Sequence, residues 1–175
     1  RDAALAEQLA ARRENIQYLP GIALAETLLF TSNLDHALAH TSARTPEAAG
    51  LLILSVPLAG LRALCTELGE KLSQQLSAQL SPTHQPLTGI VWTCKGLEAE
   101  TGLLPSEIAR EALSAAPNIP TGVLSGPSFA REVAQGLPVA LTIASQDTAL
   151  RRATIAALHG GAMRVYANQD VIGVE

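Results

Sequence analysis

Three short runs in this chain are apolar without alternation: Leu51–Val56, Gly89–Cys94 and Thr121–Ser125. A strand with one wet face alternates apolar and polar side chains, whereas a continuously apolar strand must be covered on both faces. Between these runs lie segments with helical periodicity, above all the amphipathic stretch Gly60–Leu80 and the stretch Leu104–Ser114, where Pro105 suits a first helical turn. Further helices are expected at Ala3–Arg13, at Asn33–His40 with Asn33 as cap, at Phe129–Gln135 and at Asp147–His159. Further strands are expected at Leu28–Ser32, Pro138–Ala144 and Met163–Tyr166, and loops at Asn15–Gly21, Thr41–Gly50 and Ser81–Thr88. Strands alternating with helices, several of the strands apolar throughout, specify an α/β fold with a mainly parallel sheet flanked by helices.

Composition narrows what such a domain can do. Hydrophobic residues make up 47% of the 175 residues and charged residues only 16%, which excludes a disordered chain. Aromatic residues are 3%, so the core is aliphatic. The net charge of -4, with no basic stripe interleaved with aromatics, argues against a nucleic-acid partner. No apolar run approaches the roughly 20 residues of a membrane span. Cys65 and Cys94 are far apart in apolar contexts and read as buried thiols, which fits a cytoplasmic location. His36 and His40 can share a helix face, but no third ligand accompanies them, so no metal site is expected.

In a parallel sheet, ligands bind beyond the carboxyl ends of the strands. Here those ends are Pro57, Lys95-Gly96 and the segment Gly126-Pro127-Ser128-Phe129-Ala130. The last runs from a strand into a helix and brings backbone N–H groups, a hydroxyl and a helix start to one point, an arrangement suited to an anion. Gly-Pro is also common turn punctuation, and Ser is an ordinary cap, so turn chemistry alone also accounts for it. Lys95, one of two lysines in the chain, stands at the mouth of its strand, where an ammonium can contact a phosphate or a carbonyl oxygen. On one sheet edge, the two features together suit a phosphorylated ligand. Neither GxGxxG nor a P-loop occurs in the chain. Arg1 is well placed for the 2′-phosphate of NADP if a strand precedes it, and is otherwise a charged terminus.

Five phrases then carry a resemblance: Tyr18-Leu19-Pro20, Ser55-Val56-Pro57, the run from Trp92 to Gly102, the run from Leu124 to Pro138, and the run from Arg164 to Glu175. In this order and spacing they resemble bacterial NAD(P)-dependent glycerol-3-phosphate dehydrogenases over the whole chain. The resemblance implies a Rossmann-like domain lacking its first strand, glycine loop and helix. Residues 1–168 correspond to part of the NAD(P)-binding domain and 169–175 to the start of a helical C-terminal substrate domain.

The resemblance implies roles as well. Arg1, Lys95 and Ala130 are expected cofactor contacts, and Lys95, Gly126 and Ser128 are expected substrate contacts. The implied cofactor is NAD(P)H. The implied reaction is hydride transfer to dihydroxyacetone phosphate, giving sn-glycerol 3-phosphate for phospholipid synthesis. The family's catalytic lysine falls beyond residue 175, so this segment alone is expected to be inactive. Oligomeric state stays open, with a homodimer as the candidate. Two other readings compete. One is a different nicotinamide-dependent reductase, such as a 3-hydroxyacid dehydrogenase or a ketopantoate reductase. The other is a non-catalytic phosphate-binding module.

Overall fold

A computed structural model describes residues 2–41, 50–78 and 87–175. Arg1 and most of the expected loops Thr41–Gly50 and Ser81–Thr88 lie outside the described residues. The chain opens with α1 (Ala3–Arg12), capped by the Asp2 carboxylate on the Leu5 N–H, and continues into a hairpin of β1 (Glu14–Asn15) and β2 (Leu19–Ala23). Then follow α2 (Leu34–Thr41), β3 (Leu51–Leu54), α3 (Leu58–Ala78), β4 (Gly89–Trp92), α4 (Pro105–Ala112) and β5 (Thr121–Ser125). The short α5 (Ala130–Ala134), β6 (Val139–Ala144), α6 (Thr148–Leu158) and β7 (Met163–Asn168) complete the order. Local chemistry sets several ends. Asn33 Oδ1 accepts the Asp35 N–H at 2.8 Å and starts α2, the Glu107 carboxylate reaches back to the Leu104 N–H at 2.9 Å at α4, and Asp147 caps α6.

The main sheet runs β3-β4-β5-β6-β7. Its β3/β4, β4/β5 and β6/β7 pairs are parallel, while β5/β6 is antiparallel. The mainly parallel α/β architecture read from the sequence is therefore present. All four residues of β4 are buried, and its three apolar side chains divide between two cores. Ile90 and Trp92 join Leu61, Leu68 and Ile108 of α3 and α4 on one face, and Val91 joins Leu124, Ile143 and Leu150 on the other. This is the two-sided burial that the continuous apolar run demands.

Two local expectations are corrected. Asn15–Gly21 is no open loop. Glu14 pairs with Ala23 and Asn15 with Leu19, and the Glu14 carboxylate accepts the Gly21 N–H at 2.8 Å. Pro20 sits in this two-stranded ribbon because a ribbon leaves an edge where no N–H is needed. Leu28–Ser32 is no strand of any ladder. Its neighbourhood is held instead by Arg13, whose guanidinium donates to the carbonyls of Leu28 at 2.6 Å and Glu26 at 3.0 Å and lies 5.4 Å from the Phe30 ring centre. A strand-like composition forms a strand only where another strand offers its donors and acceptors.

The antiparallel step has a consequence for function. Because β6 returns alongside β5, the connection 126–138 leaves and re-enters the sheet on the same edge, the edge where β3 and β4 also end. The whole connection, α5 included, is therefore kept at the carboxyl ends of β3, β4 and β5. No helix among the described residues is long and apolar enough to cross a membrane.

Candidate functional site

A cavity of about 600 Å³ lies at this edge, and each strand end contributes to it. Beyond β3 stands Ser55, beyond β4 stand Thr93 and Lys95, and beyond β5 stand Gly126, Ser128 and Ala130. The first two ends are tied together. The Thr93 N–H donates to the Leu54 carbonyl at 3.1 Å, and the Thr93 hydroxyl donates to Ser55 Oγ at 3.3 Å. Apolar walls come from Ile53, Leu124 and Leu141, from Leu19 of the hairpin, and from Leu158 and Met163 at the joint of α6 and β7.

Two glycines shape this rim. Gly126 passes so close to β6 that a Cβ would fall 2.4 Å from the Ala140 carbonyl oxygen. No side chain fits there, and only a bare backbone lets the chain turn out of β5 towards Ser128. Gly96 adopts φ +101°, a region that L side chains rarely enter, and it turns the chain immediately after Lys95.

Lys95 is exposed over the cavity and, among the described residues, makes no hydrogen bond or ion pair of its own. The other lysine, Lys71, is engaged by Asp35 at 2.5 Å. A compact ammonium on an apolar-walled cavity whose lining carries four hydroxyls, Ser55, Thr93, Ser125 and Ser128, suits a small oxyanion with a flat or carbonyl-bearing portion beneath it. One element of the sequence reading is weakened. The helix expected after Phe129 is only five residues long and has no side-chain cap at Phe129, so its dipole adds little. The attraction for an anion rests on Lys95 and the hydroxyls.

Of the residues expected at the site, Lys95, Gly126, Ser128 and Ala130 line one cavity. Arg1 lies outside the described residues. Sequence reasoning did not single out Ser55 and Thr93 as site residues, although each stands one residue past the last one of its strand. It also missed Leu19, Leu141 and Met163, which arrive from segments distant in sequence. Another cavity, about 540 Å³, opens at the opposite edge beside Thr121 and Ser145. Its lining holds Asp147 and Asp170 and no Lys, Arg or His, which disfavours a phosphorylated ligand.

The thiols stand apart from this chemistry. Cys65 and Cys94 are both free and buried. Desolvation, with a smaller contribution from neighbouring Cys94, pushes the Cys65 thiol up to about 11, and burial raises Cys94 as well.

Residues 1–151 match the family model described as the N-terminus of NAD-dependent glycerol-3-phosphate dehydrogenase. The chain belongs to that family. A curated relative, the glycerol-3-phosphate dehydrogenase [NAD(P)+] of Herminiimonas arsenicoxydans, is 48% identical over all 175 residues. The chain spans 46% of that relative's length. The solved glycerol-3-phosphate dehydrogenase of Coxiella burnetii superposes with a TM-score of 0.75 at 29% identity, over 98% of this chain and 46% of that one. The Saccharomyces cerevisiae glycerol-3-phosphate dehydrogenase shares the fold, with a TM-score of 0.66 at 24% identity over 97% of this chain and 44% of that one. The Rossmann-like fold anticipated for this glycerol-3-phosphate dehydrogenase segment is thus the fold of its solved relatives.

Proposed function

We propose that this segment is the greater part of the cofactor domain of an NAD(P)H-dependent glycerol-3-phosphate dehydrogenase that reduces dihydroxyacetone phosphate to sn-glycerol 3-phosphate. The observation that carries the reading is the meeting of Lys95, Gly126, Ser128 and Ala130 around one cavity at the ligand-binding edge of the sheet. Residues 1–168 belong to the cofactor domain, and 169–175 lead into a C-terminal substrate domain. Val171 and Val174 pack that exit against the α3/α4 core.

The cavity's lining fits the nicotinamide end of the cofactor. Ile53, Leu124 and Leu141 offer apolar walls for a flat ring, and Ala130 presents no bulk at the rim. A further depression of about 390 Å³ begins one residue along, at Val56, and leaves room beside the end of β3. When bound at this edge, NAD(P)H would supply the hydride for C2 of dihydroxyacetone phosphate, whose carbonyl oxygen would take a proton to become the alcohol. The protein's share is orientation and charge. Lys95 faces both ligands and stabilises negative charge on the substrate, Ser128 donates its hydroxyl to the substrate, and the bare Gly126 backbone lets it approach. Arg1 is assigned to the cofactor's adenosine end. The family's catalytic lysine is assigned to the chain beyond Glu175, and the segment alone is expected to be inactive. The product supplies phospholipid synthesis. We assign the enzyme to the cytoplasm, with a homodimer as its assembly.

The test is substrate choice by the intact enzyme. With NADPH, it should consume dihydroxyacetone phosphate and leave 2-ketopantoate and 3-oxo acids untouched. Oxidation of NADPH by either of the latter alone would establish a different reductase, and no turnover with any of them would favour the non-catalytic module.

A further inference from the structure

Glu98 lies three residues past Lys95, and its carboxylate is held from two directions. The Arg62 guanidinium donates through Nε to Oε1 at 2.8 Å and through NH2 to Oε2 at 2.7 Å, and the Thr101 hydroxyl donates to Oε2 at 2.5 Å. The backbone closes the same loop. The Glu98 N–H donates to the Leu103 carbonyl at 2.9 Å, and the Gly102 N–H donates to the Glu98 carbonyl at 2.8 Å. Arg62 NH1 donates to Glu111 at 2.9 Å, so one guanidinium joins α3, α4 and the loop after β4.

This arrangement is costly for what it returns in global stability. Exposed ion pairs contribute about 0–1 kcal/mol, and over a third of the Arg62 side chain is exposed. A two-pronged arginine grip does fix geometry, because the planar fork admits one orientation of the carboxylate. What it fixes here is the chain next to Lys95. On the other side, the Thr93 N–H bond to Leu54 anchors the backbone two residues before Lys95. Between these anchors, Gly96 is a conformationally free pivot, and Lys95 has no partner of its own among the described residues. α3, which carries Arg62, starts three residues past Ser55, so the grip refers the position of Lys95 to the end of β3, which also lines the cavity.

We propose that Arg62 and Glu98 are positioning residues that hold Lys95 over the cavity, acting on ligands only through that lysine. The inference rests on the placement of Lys95 in the proposed dehydrogenase site. It is tested in the intact enzyme with Arg62→Ala, Lys95→Ala and the double variant. The readouts are kcat/KM for dihydroxyacetone phosphate, the equilibrium Kd of NADPH from its fluorescence, and the melting temperature. Arg62→Ala should lower kcat/KM by about fivefold or more in the presence of Lys95 and cause no further loss in the Lys95→Ala background. The NADPH Kd should follow the same non-additive pattern. Arg62→Lys, which keeps the charge and loses the fork, should reproduce the loss with a near-unchanged melting temperature. If Arg62→Ala does not fold, Glu98→Gln completes the same cycle. Equal losses from the Arg62 substitution with and without Lys95, or no loss in either, overturn the positioning role while leaving Lys95 in the site. An inert Lys95→Ala overturns both.

Discussion

Gly126 and Ala140 are in such close approach that the Cβ of any other residue at 126 would overlap the Ala140 carbonyl oxygen, at 2.4 Å. The crossing lies where β5 ends and the chain turns towards Ser128, so packing and ligand contact meet in one residue. Gly126→Ala should destabilise the fold by about 2 kcal/mol or more, since backbone has to move to admit the methyl group. Urea unfolding checks this, and a midpoint equal to the wild type's would show that the β5/β6 crossing is looser than described.

Ser128 stands on the rim with its hydroxyl as its only functional group. In the intact enzyme, Ser128→Ala should raise KM for dihydroxyacetone phosphate more than it lowers kcat, the mark of a contact made equally in ground and transition states. A fall in kcat at constant KM would make the hydroxyl a contact formed only in the transition state.

The Arg62 and Thr101 donors hold the Glu98 carboxyl down at about 2, against an ordinary value of 4.5. A carboxyl depressed in the folded state contributes stability that is complete above its unfolded value and is lost as pH falls through the folded one. The contribution is therefore present above about 4.5 and disappears on the way down to about 2. Because the pair is exposed, the effect is small: melting temperatures of wild type and Glu98→Gln should differ by only a few degrees at neutral pH and converge in acid. Parallel curves across that range would mean that the pair adds nothing to the fold.

Burial raises both thiols, Cys65 to about 11. Iodoacetamide at pH near 8 should therefore modify neither Cys65 nor Cys94 in the native protein and both in urea, as read by intact mass. Rapid native labelling of Cys94 would show that the end of β4 opens to solvent.

The sequence reveals most where burial is two-sided. The unbroken apolar run at Gly89–Trp92 has one structural solution, and β4 adopts it with side chains in both cores. It reveals less where a partner decides the outcome. The Leu28–Ser32 composition is strand-like, yet Arg13 satisfies the nearby Glu26 and Leu28 carbonyls in place of a neighbouring strand. Pro20 and Gly21 read as turn residues, and only pairing with Glu14 and Asn15 makes Leu19–Ala23 a strand. Strand direction is invisible to periodicity, so nothing in Val139–Ala144 announces that β6 runs against β5. At the site, Lys95 and the Gly126–Ala130 segment were legible because charge and turn residues stand out against apolar strands. Ser55 and Thr93 carry chemistry too common to stand out, and Leu19 and Met163 are brought in only by the fold.

The central claim is that the lysine at the end of β4 acts on the ligands of this edge. Its most direct test is kcat/KM for dihydroxyacetone phosphate in the intact enzyme carrying Lys95→Ala, compared at equal melting temperature with the wild type. A fall of at least about tenfold, roughly 1.4 kcal/mol of transition-state stabilisation, is the expected result. Wild-type kinetics in the Lys95→Ala variant would contradict it.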